Sequence, residues 1–291
     1  MPAVELNELV KDFRDFFGRR RVRALDGLSI SVNPGEVFGL LGPNGSGKTT
    51  AFKICVGLLR PDKGDATVNG HKPGTLAARR ATGFLPEEST LLPFLNARET
   101  LRLHGALAGL TRADARKRAD ELIERVGLTD AATRRVKGFS KGMQRRLGIA
   151  SVLIGDPDVF ILDEPTSGLD PLGARDMKEL IAELRKKGKS ILISSHLLGE
   201  LENVCDRVAF LMHGKLLKQG TLEELLRRHD VHEMHFKGAR PDDVAALEAL
   251  ARERGLDVPR SAAPLRSLEA FYIETLGKSG SGAGSGPEKH N

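Results

Sequence analysis

The sequence predicts an α/β fold in which a parallel sheet with crossover helices follows a β-rich opening, is interrupted by a helical insert and is succeeded by a small appended module. Three observations carry this. Positions 42–49 read Gly-Pro-Asn-Gly-Ser-Gly-Lys-Thr between an apolar run suited to a buried strand and a segment able to be helical. Apolar strand-like runs at Val159–Leu162 and Ser190–Ile193 flank an amphipathic helical stretch, and strand, helix, strand in that order calls for parallel pairing through a crossover. From about Asn96 to Ala150 the apolar spacing changes to threes and fours, the period of packed helices.

Taken in order, strand signals dominate to about Val37, ending in the alternating stretch Leu28-Ser29-Ile30-Ser31-Val32 and the turn Asn33-Pro34-Gly35. Glu36–Leu41 reads as a buried strand, and Lys48–Ile54 opens a helix. Between them Gly42-Pro43-Asn44-Gly45-Ser46-Gly47-Lys48-Thr49-Thr50 is a candidate nucleotide site. Its glycines permit a tight turn, so that N–H groups and the positive end of the helix dipole can surround phosphates. Lys48 would reach the β- and γ-phosphates, and the Thr49 hydroxyl would hold Mg²⁺. Arg60-Pro61-Asp62-Lys63-Gly64 reads as a turn before a strand, Ala66-Thr67-Val68, that closes at Gly70. In the helical insert, about 96–150, Leu101, Leu107 and Leu110 are followed by Leu122, Ile123 and Val126, with Gly127 as a stop. Past the strand at 159–162, Asp170 as N-cap and Pro171 at the first helical position start a helix with Leu180, Ile181 and Leu184 on its apolar face. Val208–Leu211 is a further strand. Residues 230–278 form a separate unit after a main domain of 1–229; it contains the helical run 242–250, and the Gly/Ser-rich end, 279–291, is expected to be a flexible tail.

A chain of 291 residues can hold one large domain plus an appendage. With 29% charged residues, it has no apolar stretch near the ~18–20 residues of a membrane span. The N-terminus, Met1-Pro2-Ala3-Val4-Glu5, shows an early acid and no basic-then-apolar region, so a cytoplasmic protein is expected. Cys55 and Cys205 lie in apolar segments, which predicts reduced, buried thiols rather than a disulfide or metal pair. Lys and Arg exceed Asp and Glu by 45 to 39, but the clusters at 19–21, 134–135 and 185–187 are short and lack interleaved aromatics. They read as solvated faces, and nucleic acid is not expected as a partner.

Val159-Phe160-Ile161-Leu162-Asp163-Glu164 is an apolar strand ending in two carboxylates, an arrangement that delivers acids from a sheet's carboxyl edge to a nucleotide. Such a pair can also serve as a helix cap or loop acceptor, so its neighbours matter. Before it lies Phe139-Ser140-Lys141-Gly142-Met143-Gln144-Arg145-Arg146-Leu147, and after it Ser167-Gly168-Leu169-Asp170 and Ser194-Ser195-His196. In this order and at these separations the motifs resemble the nucleotide-binding subunits of ATP-binding cassette (ABC) transporters, over roughly residues 4–225. Leu85-Pro86-Glu87-Glu88, the Ser-Lys-Gly-Met signature and Lys218–Glu224 are similar to the exporter, ABC-2-like branch, whose ATPase subunits work with a separate membrane protein.

The resemblance implies an α/β P-loop ATPase core of mixed or parallel sheet, with an antiparallel β-subdomain, a helical subdomain carrying the signature, and here a C-terminal α+β appendage. Two copies, as a homodimer, would bind head to tail around two ATP, each held by residues 42–50 of one copy and Ser140, Gly142 and Gln144 of the other. It assigns Asp163 to Mg²⁺, Glu164 to the attacking water, His196 to the γ-phosphate and Asp170 to the dimer interface. The implied partner is a polytopic ABC-2-type permease, with this chain on the inner face of the cell membrane. The alternative is a soluble ABC-type ATPase acting on ribosomes, nucleic acid or protein complexes. Glu87 stands where the family usually has glutamine; its carboxylate can still ligate Mg²⁺. The adenine-stacking aromatic is Phe13 or Phe17, with Phe17 favoured by its distance from Ala24-Leu25. His104 and His213 read as ordinary residues, and the helix near 99–110 as core or as part of a groove for the membrane subunit.

Overall fold

In the computed structural model, which describes residues 1–14, 20–88, 90–197, 204–226 and 241–255, the β-rich opening becomes two long antiparallel strands, β1 (Val4–Arg14) and β2 (Arg20–Val32). The chain then enters a second sheet as β3 (Val37–Leu41), forms helix α1 (Lys48–Cys55), and returns to pair β4 (Lys63–Val68) antiparallel to the other side of β1. The turn expected through Gly64 gives way to strand at Lys63. Gly64, at φ +83°, makes this possible: a Cβ there would clash with the Asn7 and Glu8 carbonyls, beside the register shift between Asn7 and Val10.

Helix α2 (Leu76–Ala81) leads into β5 (Thr82–Leu85), an edge strand of the second sheet. The helical insert follows as α3 (Ala97–Leu107), α4 (Arg112–Arg125) and α5 (Lys141–Leu153). Asn96 and Glu99 close a reciprocal capping box on α3, each bond 2.9 Å. Gly127, at φ +64°, stops α4 where its sequence position predicts. Leu101 is fully buried, whereas Leu107 is 76% exposed, so the insert's leucines divide between core and surface.

The remaining strands are β6 (Val159–Leu162), β7 (Ser190–Ser195), β8 (Arg207–Met212) and β9 (Lys215–Thr221), with helix α6 (Pro171–Lys186) crossing from β6 to β7. The sheet order is β5-β6-β7-β3-β8-β9, parallel except for β9. Every residue of β3, β6 and β7 is buried, as a parallel sheet covered on both faces requires. Register pairs Leu41 with Ser195 and Leu162 with Ile193, so the carboxyl ends of these three strands open on one edge. A shared core runs from Leu6, Leu9 and Leu28 through Phe38 and Phe52 to Ile161 and Leu192, fastening both sheets to α1. Cys55 and Cys205 are buried free thiols, and burial pushes Cys55 up to about 12.

Asp170 caps α6 through its Oδ1, which accepts from Gly173 N at 2.9 Å. Replacing it with alanine is expected to lower stability by about 1 kcal/mol, read as a fall in the denaturant midpoint. The chain divides into two compact units, Met1–Leu222 and Glu223–Asn291. The second contains helices α7 (Leu222–Leu226, beginning at the boundary) and α8 (Pro241–Glu253), the latter covering the helical run expected at 242–250. The expected tail lies outside the described residues. Among the described residues no helix is long and apolar enough to cross a membrane.

Candidate functional site

The loop between β3 and α1 is shaped by close approaches that only glycine permits. At Gly42 a Cβ would clash with the Leu211 carbonyl and lie 2.7 Å from Ser46 Oγ. At Gly47, whose φ is +112°, it would clash with the Ala24 carbonyl and lie 2.9 Å from Leu25 Cδ2. The hairpin turn after β8 straps the loop from outside, with Gly214 N donating to Ser46 O at 2.9 Å. Gly47 is also the N-cap of α1 and contributes no side-chain cap, which leaves the helix's first N–H groups directed at the loop. Lys48 is buried within it; its Nζ donates to Gly42 O at 2.7 Å and Pro43 O at 3.3 Å.

Glu164, at the end of β6, holds the left-handed backbone value φ +48°, uncommon for a non-glycine residue and a form of strain found at functional sites. Its carboxylate is buried: Oε1 lies 3.5 Å from Lys48 Nζ, and Oε2 lies 2.8 Å from His196 Nδ1. With the carboxylate as acceptor, His196 donates to it through Nδ1–H, and Nε2 lies on the far side of the ring. Ser194 sits between the two acids, its Oγ donating to Asp163 Oδ1 at 2.6 Å and accepting from Glu164 N at 2.9 Å. Asp163 Oδ2 is buried and makes no hydrogen bond. An orphaned carboxylate oxygen of this kind fits a cation. Among the described residues there is no cluster of three or more His, Cys, Asp or Glu able to hold a metal alone, so a divalent ion here would need oxygens from a nucleotide as well.

The expected signature residues begin α5. Ser140 is its N-cap and accepts from Met143 N at 3.2 Å, while Gln144 Nε2 donates to Phe139 O at 3.2 Å. Arg134 braces this turn from the side, its guanidinium 5.4 Å over the Phe139 ring. Next in the helix comes Arg145, 3% exposed, which reaches backbone carbonyls at both Pro86–Glu87 and Asp163–Pro165. Burial pushes its guanidinium down to about 10, and Asp163, Glu87 and Glu164 oppose that shift, so the cation persists at neutral pH.

Lys48, Asp163, Glu164 and His196 thus converge on one sheet edge beside the loop at 42–50. Thr49, Glu87 and Asp163 line a neighbouring cavity of about 880 Å³. His104 and Leu107 line it too, so the helix expected near 99–110 borders this cavity; desolvation lowers the His104 pKa there. His213 lies in the β8–β9 turn. Phe17 lies outside the described residues, and Phe13 is 41% exposed on β1. Sequence reasoning assigned no role to Ser194, Gly214 or Arg145. Only Arg145 carried a signal: it shares a helix face with Gly148 and Ile149, both buried, three and four residues on.

The ABC transporter family model matches residues 25–167. An uncharacterized ABC transporter ATP-binding protein of Synechocystis is 40% identical over 282 residues, covering 93% of this chain and 80% of its own length. The linearmycin resistance ATP-binding protein LnrL of Bacillus subtilis is 35% identical over 253 residues, covering 85% of this chain and 81% of its own. Among solved structures, a dimeric ATP-binding cassette in a post-hydrolysis state with ADP and Pi matches with a TM-score of 0.70 and 26% identity, over 75% of this chain and 98% of that one.

Proposed function

The chain belongs to the ABC transporter ATP-binding proteins, as an ATP-hydrolysing subunit, and from that premise we propose that it drives export through a separate polytopic ABC-2-type permease. In this reading it lies on the inner face of the cell membrane, paired head to tail with a second copy of itself. The observation that carries the catalytic part is the cluster at the mouth of the loop in which buried Lys48 and Glu164 meet the exposed His196. The export reading draws on the relative named for linearmycin resistance, and the dimer on the cassette solved as a dimer.

Lys48 and the loop's N–H groups would hold the phosphates of ATP, with Ser140, Gly142 and Gln144 of the second copy closing over the γ-phosphate. Glu164 would orient the attacking water and take its proton. His196, hydrogen-bonded to Glu164, would keep that carboxylate aimed and meet the γ-phosphate. Asp170 would lie where the two copies meet. Phe17 would stack on adenine, and residues 230–278 would form an accessory module. Thr49, Asp163 and Glu87 would hold Mg²⁺, which when bound would offset phosphate charge.

The test uses the full chain. Replacing Mg²⁺ with EDTA is expected to lower phosphate release more than about tenfold. A non-hydrolysable ATP analogue is expected to double the mass seen by light scattering. A mass that stays monomeric overturns the homodimer. Purification from native membranes without a co-eluting polytopic protein overturns the permease.

A further inference from the structure

We propose that Arg145 is a positioning residue for hydrolysis, whose guanidinium locks the Glu164 turn and the Pro86–Glu87 loop to the signature helix α5. This rests on the reading of Glu164 as the base. All five N–H donors of Arg145 are directed at backbone carbonyls. Nη1 donates to Pro86 O and, at 2.9 Å, to Glu87 O; Nη2 donates to Asp163 O at 2.8 Å and Glu164 O at 2.7 Å; Nε donates to Pro165 O at 3.0 Å. A guanidinium that only balanced charge would be satisfied by a carboxylate side chain. Here its fork spans three consecutive carbonyls around Glu164, the residue whose backbone is held at φ +48°.

Geometry makes the grip mechanical. Arg145 is the fifth residue of α5, whose N-cap is Ser140. A shift of that helix therefore pulls directly on the backbone carrying Glu164 and on the loop carrying Glu87. The carbonyls lie on two separate segments, so a lysine, with three donors radiating from one point, cannot span them. Released, the Glu164 turn is free to relax toward ordinary backbone values, and its carboxylate moves off the water it must orient. A displacement of about 1 Å at a reacting group costs on the order of 100-fold in rate.

The experiment measures ATP turnover, binding of a fluorescent ATP analogue and thermal melting for the full chain with Arg145→Lys, Arg145→Met, Glu164→Gln and the paired changes, below each variant's melting range. Both Arg145 variants are expected to lose about 30- to 100-fold in kcat while binding the analogue within about threefold of wild type. Added to Glu164→Gln, either is expected to lower the residual rate less than about threefold, because the group they position no longer acts. Arg145→Lys keeps the charge and the stem, so it decides the matter if Arg145→Met does not fold. Arg145→Lys with kcat within threefold of wild type, or full additivity with Glu164→Gln, overturns the proposal. Retained activity in the Arg145 variants with Glu164→Gln inactive removes this inference alone; retained activity in Glu164→Gln removes both it and the base.

Discussion

Glu164→Gln is expected to slow ATP turnover by at least about 100-fold, the scale of a lost general base, while ATP still binds within about threefold. The two side chains have nearly the same shape, so the hydrogen bond with His196 Nδ1, now 2.8 Å, can be kept by the amide oxygen. What disappears is the negative charge facing Lys48 Nζ across 3.5 Å and the ability to accept a proton. Binding relies on other groups, chiefly the loop N–H groups and Lys48, whose hydrogen bonds to the Gly42 and Pro43 carbonyls are untouched. Bound ATP should therefore persist, and gel filtration with ATP and Mg²⁺ should show a stable dimer where the wild type cycles through it. Turnover within threefold of wild type would remove Glu164 from the chemistry.

Gly47→Ala is expected to cost about 3 kcal/mol of folding stability and to weaken ATP binding more than about tenfold, because backbone strain and overpacking add at one position. Its φ of +112° lies where L side chains rarely go, and the new methyl would clash with the Ala24 carbonyl and press on Leu25. Relief requires moving the N-terminus of α1, which displaces the N–H groups that face the phosphates. Gly45→Ala is the control: φ is +79° there, but a Cβ meets nothing within 4 Å, so only the smaller left-handed cost of about 1 kcal/mol remains. Urea unfolding and analogue titration of both variants make the comparison. If Gly47→Ala matches Gly45→Ala in both measurements, the close approach to β2 has no energetic weight.

Local signals were legible in this chain wherever a feature depends on neighbours a few residues apart. The loop glycines, the Asp170–Pro171 helix start, the Gly127 stop and the apolar strand at 159–162 all stand where their own sequence places them. Turn chemistry, capping and periodicity act over one or two turns of chain, so they need no knowledge of the fold. The early start of β4 escaped because Gly64 reads as a turn residue until β1 is laid beside it. Residues 76–85 also escaped, since α2 and β5 are too short for a period to emerge.

By itself, then, the sequence determined the α/β class, the phosphate loop between strand and helix, and the identities of Lys48, Asp163, Glu164 and His196 as candidates. Tertiary structure alone decided that β3 lies between β7 and β8, which brings residues more than a hundred positions apart to one edge. It also decided that Ser194 bridges the two acids and that Arg145 reaches the carbonyls of Asp163, Glu164 and Pro165. Strand order and the burial of a charge depend on contacts distant in sequence, and no local pattern encodes which partners those contacts will supply.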